Sequence, residues 1–325
     1  DVKSGYALHR FDDLGAIQSD VAESSPWLAV GNRAGDSFLV NMESGDVEKL
    51  SPSSDAPVQQ IQLNADGTRV LSVVFTSQPR VWDTNSRELL FETPEAGFYS
   101  SGVFHPSGRV VALTASPHND LKWGKVELWD IDKKTQISEP LESGGQTNQG
   151  RINFSHNGRM LAVGNARGGL SVWEYPTGTR LLKISLGVVT RSRVNSLEFS
   201  HDDTRLAVYG FTPSTRSGRL TMIDLPPSGH DAPEWLADLA EVVAKRRINR
   251  NGDSVAVAPS QMASVRASVE ATPTGDSYAR WGRWFMADPD TRASSPWSHR
   301  SRREQLDVLL RSRNLNELHR VLEFD

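Results

Sequence analysis

The chain of 325 residues contains no cysteine. That excludes a disulfide framework, a zinc ribbon and thiol catalysis, and it fits a reducing compartment such as the cytoplasm. An excess of one charge is lacking too: 36 Lys and Arg stand against 40 Asp and Glu, a formal net charge of -4. Nothing in that balance draws the chain to nucleic acid or to an anionic membrane. The longest basic run, Lys245-Arg246-Arg247, sits where a helix is expected to end, and cations there are favoured by the helix dipole. No stretch approaches the roughly 18 apolar residues of a membrane span, so no membrane insertion is expected of this segment. No signal peptide opens the chain. The eight His are scattered, with none at the i, i+4 spacing of His-Glu-x-x-His. Neither a metal site nor a cofactor is expected.

What is present is a repeat. A hydrophobic strand ends in Trp-Asp at Trp82-Asp83 and at Trp129-Asp130. Equivalent positions are Val40-Asn41, Trp173-Glu174 and Ile223-Asp224, giving spacings of 42, 47, 44 and 50 residues. Upstream of each lies a second apolar run, at Leu28-Val30, Leu71-Val73, Val111-Leu113, Leu161-Val163 and Leu206-Val208. Each run comes after a turn: Ser25-Pro26, Asp66-Gly67, Ser107-Gly108, Asn157-Gly158 or Asp202-Asp203. Asn-Gly and Asp-Gly between apolar runs are hairpin signals, because their central residues tolerate positive φ. Before the turns come alternating strands such as Val194-Asn195-Ser196-Leu197-Glu198-Phe199. A four-strand unit repeating every 40 to 50 residues with a Trp-Asp signature reads as the blade of a β-propeller.

The segment Asp1-Val2-Lys3-Ser4-Gly5 matches the residues after Trp in other repeats, so residues 5 to 11 read as the outer strand of a blade. The expectation is an excerpt of a native ring with seven or more blades. The alternative is that this strand pairs with the last repeat, whose own outer strand is replaced by Leu225-Pro226-Pro227, a segment poor in backbone donors.

These residues resemble the WD-repeat (WD40) β-propeller family over roughly residues 1 to 225. The resemblance implies a platform for other proteins, not a catalyst. The family's Gly-His pair before the inner strand is absent, and the Asp of the turn before the Trp strand gives way to Arg33-Ala34-Gly35 and Arg167-Gly168-Gly169. The family's hydrogen-bonded tetrad is therefore not expected, and the blades should rely on apolar packing between sheets. The segments Pro233–Glu241, Tyr278–Asp288 and Ser295–Ser298 look like the tail after WD-repeat arrays in large bacterial proteins. Members of that group often carry a serine/threonine protein kinase domain. The alternative to a scaffold is thus a regulatory or sensing segment of such a kinase, with the kinase domain elsewhere in the same polypeptide. No kinase motif occurs within this chain.

From Pro233 the apolar period changes from two to about 3.6. The chain thus divides into blades over 1–229 and an α-helical domain over 230–325. Trp235, Leu236, Leu239, Val242 and Val243 make one face of a first helix ending near Arg247, and Asn251-Gly252 breaks the run. A second helix is expected over about 260–271 and a third from an Asp276 cap through Trp281, Trp284 and Phe285. Two more are expected near 301–311 and 315–323. The aromatic cluster Trp281, Trp284, Phe285 and Trp297 reads as a core rather than a ligand cage.

Hydrolase chemistry finds no support, because Gly252–Ala256 and Gly275–Ala279 lack the closing Gly of a nucleophile elbow. His105, His156 and His201 recur beside the hairpin turns; in a ring they are expected to lie far apart and to bond turn backbone. Two repeats carry insertions between the middle strand and the Trp strand, at 116–124 and 212–218, and the link 142–150 is lengthened on the same face. Loops on a rigid scaffold concentrate function, and Trp and Arg are common anchors of interfaces. His118, Lys122, Trp123 and Arg216 are therefore the expected contacts for a protein partner of unknown identity.

Overall fold

The computed structural model describes residues 9–11, 13–22, 24–50, 54–116, 124–142, 151–185, 193–212, 217–227, 232–249, 251–301, 303–304 and 307. The chain divides into two compact units, Asp1–Met222 and Ile223–Asp325. The first unit is a succession of antiparallel sheets, one per sequence repeat. The first blade orders its strands Ala16–Val21, Trp27–Asn32, Ser37–Asn41 and Val47–Lys49. The second runs Val58–Leu63, Arg69–Val74, Arg80–Asp83 and Leu89–Glu92. The third is Phe98–Phe104, Val110–Ser116, Lys125–Asp130 and Thr135–Gln136, with Leu141–Glu142 also pairing on the Lys125–Asp130 strand. The fourth is Arg151–Phe154, Met160–Gly164, Gly169–Glu174 and Arg180–Ser185. The fifth, among the described residues, has three strands: Arg193–Phe199, Arg205–Thr212 and Ser217–Asp224. The repeat landmarks of the sequence thus each fall in the strand they predict. Residues 1–8 lie outside the described residues, and residues 9–11 are not strand, so the expected outer strand over 5–11 is not seen in the part described.

The turn chemistry explains why each blade starts as a hairpin. Gly67, Gly108 and Gly158 occupy the same turn position at φ 69°, 69° and 73°, and Asp203 takes that position in the fifth blade at φ 55°. Glycine enters this left-handed region without steric cost; Asp is one of the few side chains that tolerates it.

The core lies between sheets. Leu39 of the first blade packs with Val58, Ile61 and Leu63 of the second. Leu71, Val73 and Val81 meet Tyr99, Phe104 and Trp129 of the third, and Val103, Val126 and Leu128 meet Ile152, Phe154 and Trp173 of the fourth. Gly31 and Gly164 mark where middle strand meets neighbouring inner strand: a Cβ there would overlap the side chains of Val58 and Val194.

The second unit holds three helices, α1 (Trp235–Ala244), α2 (Pro259–Ala271) and α3 (Ser277–Met286), among the described residues. The Asp276 carboxylate caps α3 by accepting from the Ala279 amide at 2.8 Å, as the sequence predicts. Helix α1 stops before the expected Arg247, because Lys245 turns left-handed at φ 56° and Arg246–Ile248 pairs with Ser254–Ala256 as a two-stranded hairpin. The Asn249–Asp253 turn that defeats the helix is held by Asn249 Oδ1, which accepts from the amides of Asn251 and Asp253. Residues 303, 304 and 307 are helical, in keeping with the helix expected near 301–311; the remainder of it and the helix expected near 315–323 lie outside the described residues.

Leu239, Val242, Val265 and Val269 are the core of this unit. The aromatic cluster assembles within it, with Trp281 5.8 Å from Trp284, 5.5 Å from Phe285 and 5.8 Å from Trp297 between ring centroids. Its ring faces are occupied by the chain's own cations, Arg292 over Trp284 at 4.0 Å and Arg280 over Trp297 at 5.8 Å. Trp284 Nε1 donates to the Ala293 carbonyl at 2.7 Å. These internal partners occupy the ring faces, while Trp281, Trp284 and Trp297 are only partly buried and Phe285 is 37% exposed, so the cluster is not the closed core that the sequence suggests.

Candidate functional site

The four residues that the sequence nominated for partner contact, His118, Lys122, Trp123 and Arg216, lie outside the described residues. So does most of the 142–150 link. The described residues point elsewhere, to the inner strands.

All five inner strands line one cavity of about 260 Å³. Its wall is built from two polar positions of the repeat. One holds Asp20, Gln62, Asn153 and Glu198, with Val103 as the apolar exception; the other holds Gln18, Gln60 and Arg151. An inner strand has a free edge towards this space, and unpaired backbone groups there must find partners. The preceding blade supplies them. Asp20 Oδ2 accepts from the Leu63 amide at 2.8 Å. Gln60 Oε1 accepts from Ser101 Oγ at 2.7 Å and the Gly102 amide at 3.3 Å, and Gln62 Oε1 accepts from the Phe104 amide at 2.9 Å. Arg151 Nε donates to the Asn195 carbonyl at 3.1 Å, and Asn153 Nδ2 to the Leu197 carbonyl at 3.3 Å and to Glu198 Oε2 at 3.0 Å.

A bulge recurs at the start of these strands. The register skips one residue at Ile17, Gln59 and Asn195, each directly before the second wall position, and at the matching place in the third blade. Bulges of this kind re-aim a side chain, here bringing Gln59 and Asn195 to the cavity. Asn195 Oδ1 is shielded from solvent and has no hydrogen-bond partner among the described residues. Burial raises the Asp20 carboxyl above its ordinary value, against the opposing bond from the Leu63 amide. Burial likewise raises Glu198, opposed by Asn153 and by the nearby His156.

Hydrogen bonds between blades correct the expectation that apolar packing alone joins the sheets. Ser37 Oγ donates to Ser72 Oγ at 2.7 Å across the first seam, and Arg69 reaches the Gly108 carbonyl at 3.1 Å and Asp132 at 2.8 Å across the second. His105 Nε2 lies 3.1 Å from the Gly158 carbonyl across the third, so this histidine bonds turn backbone as expected. Its ring packs on Phe154 and Tyr175, and burial lowers its pKa. At the fourth seam Asp203 accepts from the His156 and Asn157 amides at 2.8 and 2.9 Å and sits 3.1 Å from His156 Nδ1. The His156 and His201 rings are 5.6 Å apart, so the expected wide separation fails for this pair: adjacent turns of adjacent blades abut. Among the described residues no three His, Cys, Asp or Glu side chains gather as a metal site would require.

Sequence reasoning missed the cavity. The signal was Gln60, Gln62, Asn153 and Glu198 at alternate positions of strands whose other face is apolar; read strand by strand, they look like ordinary solvent-facing residues.

Comparison with known proteins agrees on architecture. No family model matches the chain. Over 199 residues it is 29% identical to the meiotic recombination protein rec14 of Schizosaccharomyces pombe, covering 59% of this chain and 61% of that protein. The chain thus spans less than two thirds of this relative. Among solved structures it superposes on the β-propeller domain of Cps50 (Swd1) from Myceliophteria thermophila with a TM-score of 0.52 at 16% identity, over 63% of this chain and 65% of that one. It also superposes on the hydrazine synthase of Kuenenia stuttgartiensis with a TM-score of 0.54 at 14% identity, over 68% and 66%. Likeness at such identities is one of fold. Sequence repeat, sheet order and structural neighbours agree: the chain is mainly β, a WD40-like β-propeller followed by a small α-helical region.

Proposed function

We propose that this chain is a non-catalytic protein–protein interaction scaffold. One observation carries the reading: five sheets, pinned to each other by cores and cross-blade hydrogen bonds, present a polar cavity framed by all five inner strands. A rigid frame with a shaped polar opening suits recognition, since pre-organisation lowers the ordering cost of binding. The inserted loops 116–124 and 212–218 supply a second contact region, with Trp123 and Arg216 as its anchors.

The test is proximity cross-linking and co-purification of the tagged full chain in its own cells. At least one protein should be retained over a tag-only control, with retention falling several-fold in the Trp123→Ala/Arg216→Ala variant. Retention of nothing above the control would overturn the scaffold reading. Retention unaffected by the double substitution would remove those two residues from it.

A further inference from the structure

We propose that the inner-strand cavity receives a basic side chain, Arg or Lys, carried on an extended segment of a protein partner; this rests on the scaffold reading and assigns its site. Three properties of the wall select that ligand. The first is charge. Asp20 and Glu198 contribute two carboxylates, whereas the one guanidinium among the described lining residues, Arg151, turns its Nε to the Asn195 carbonyl. A net negative wall repels phosphate and carboxylate ligands and attracts a cation. Partial burial raises both acidic groups, a desolvation cost that their present hydrogen-bond partners offset only in part. An inserted cation would offset that cost.

The second property is the pattern of donors and acceptors. Gln60 and Gln62 spend their carbonyl oxygens on the backbone of the third blade, which leaves their Nε2 groups to donate to the carbonyl of an incoming chain. The carboxylates of Asp20 and Glu198 are the complementary acceptors. Peptide backbone and a guanidinium or ammonium supply both kinds of group.

The third property is size and shape. At about 260 Å³ the cavity falls below the roughly 300–1,000 Å³ of sites that enclose a drug-sized molecule. No aromatic side chain among the described residues lines it, which removes the stacking surface that nucleobases use. A single long side chain fits these limits.

The probe is a set of fluorescein-labelled nonapeptides with identical Gly/Ser flanks and a central Arg, Lys or Glu, titrated into the full chain by fluorescence anisotropy. The Arg and Lys peptides should bind at least tenfold more tightly than the Glu peptide. Glu198→Gln, which keeps an oxygen for Asn153, should weaken them at least fivefold at unchanged melting temperature. Asp20→Asn should do the same, with circular dichroism as the check on folding. Absence of binding by the basic peptides, equal binding of the Glu peptide, or indifference to both substitutions would overturn the proposal. Running Glu198→Gln through the co-purification separates the two readings. A partner still retained in full would sink the basic-side-chain site and leave the scaffold standing; no partner with the unaltered chain would sink the scaffold itself.

Discussion

The inner blades and the end blades obey one sequence pattern but live in different surroundings. Leu63, Phe104, Phe154 and Phe199 close the inner strands of the second to fifth blades and are 5–6% exposed; Val21, their counterpart in the first blade, is 53% exposed. At the other end, Val126 and Leu128 of the third blade and Leu170 and Val172 of the fourth are at most 3% exposed. Their counterparts in the fifth blade, Leu220 and Met222, are 68% and 55% exposed. Residue type is nearly constant along each series, so burial here is set by the neighbouring sheet and not by the strand that carries the residue. In a repeat fold the stabilising unit is accordingly the seam between two blades, as expected when stability sums over nearest-neighbour interfaces.

That contrast is most easily broken with paired truncations. Phe154→Ala should cost roughly 3–5 kcal/mol, since it empties a filled position in the third seam. Val21→Ala should stay within about 0.5 kcal/mol, as exposed substitutions do. Urea midpoints of the two variants measure the difference. Equal losses would show that Val21 is covered in solution. A charge sharpens the same point: Val126→Lys buries an unpaired ammonium and should unfold the seam, whereas Leu220→Lys should leave the melting temperature within a degree or two.

Next in size is the polar side of the seams. Asp203→Gly keeps a residue that enters positive φ freely while removing the carboxylate that accepts the His156 and Asn157 amides of the fourth blade. A loss of about 1–3 kcal/mol is expected, because those amides then lack their acceptor. If Asp203→Gly stabilised the chain, backbone strain would outweigh the hydrogen bonds and the seam would be apolar after all.

How much of this was readable in the sequence depends on which interactions are local. Strand order, hairpin turns and the Trp positions are fixed by short-range pattern: Asn157-Gly158 names its own turn, and Asp276 its own helix cap. The cavity is not local. Gln62 looks like a surface residue until Phe104, 42 positions away, is seen to donate its amide to it. Likewise Asp203 breaks the glycine rule of its turn for the sake of His156 in another repeat. The α1 boundary departs from the sequence pattern for a similar reason: the charge run Lys245-Arg246-Arg247 is compatible with a helix end, but strand pairing with Ser254–Ala256 decides it.

The smallest effect expected is a pH dependence confined to one seam. His105 inserts between the third and fourth blades, 3.1 Å from the Gly158 carbonyl and against Phe154 and Tyr175. Burial lowers its folded pKa below the ordinary value of 6.5, the Gly158 carbonyl opposing. A lowered histidine pKa means that the unfolded chain binds the proton more tightly than the folded one. Its contribution to stability is therefore present in full above the unfolded value of 6.5, falls as the pH drops below it, and stops falling below the folded pKa. His105→Gln, a neutral side chain that still donates, should flatten this part of the stability curve while leaving the plateau above pH ~7.5 within about 1 kcal/mol. Urea midpoints measured between pH ~5 and ~8 for the two proteins decide it. Parallel curves for His105→Gln and the unaltered chain would mean that the third seam opens to water far enough to solvate an imidazolium, and that the inner seams differ from the ends less than their burial implies.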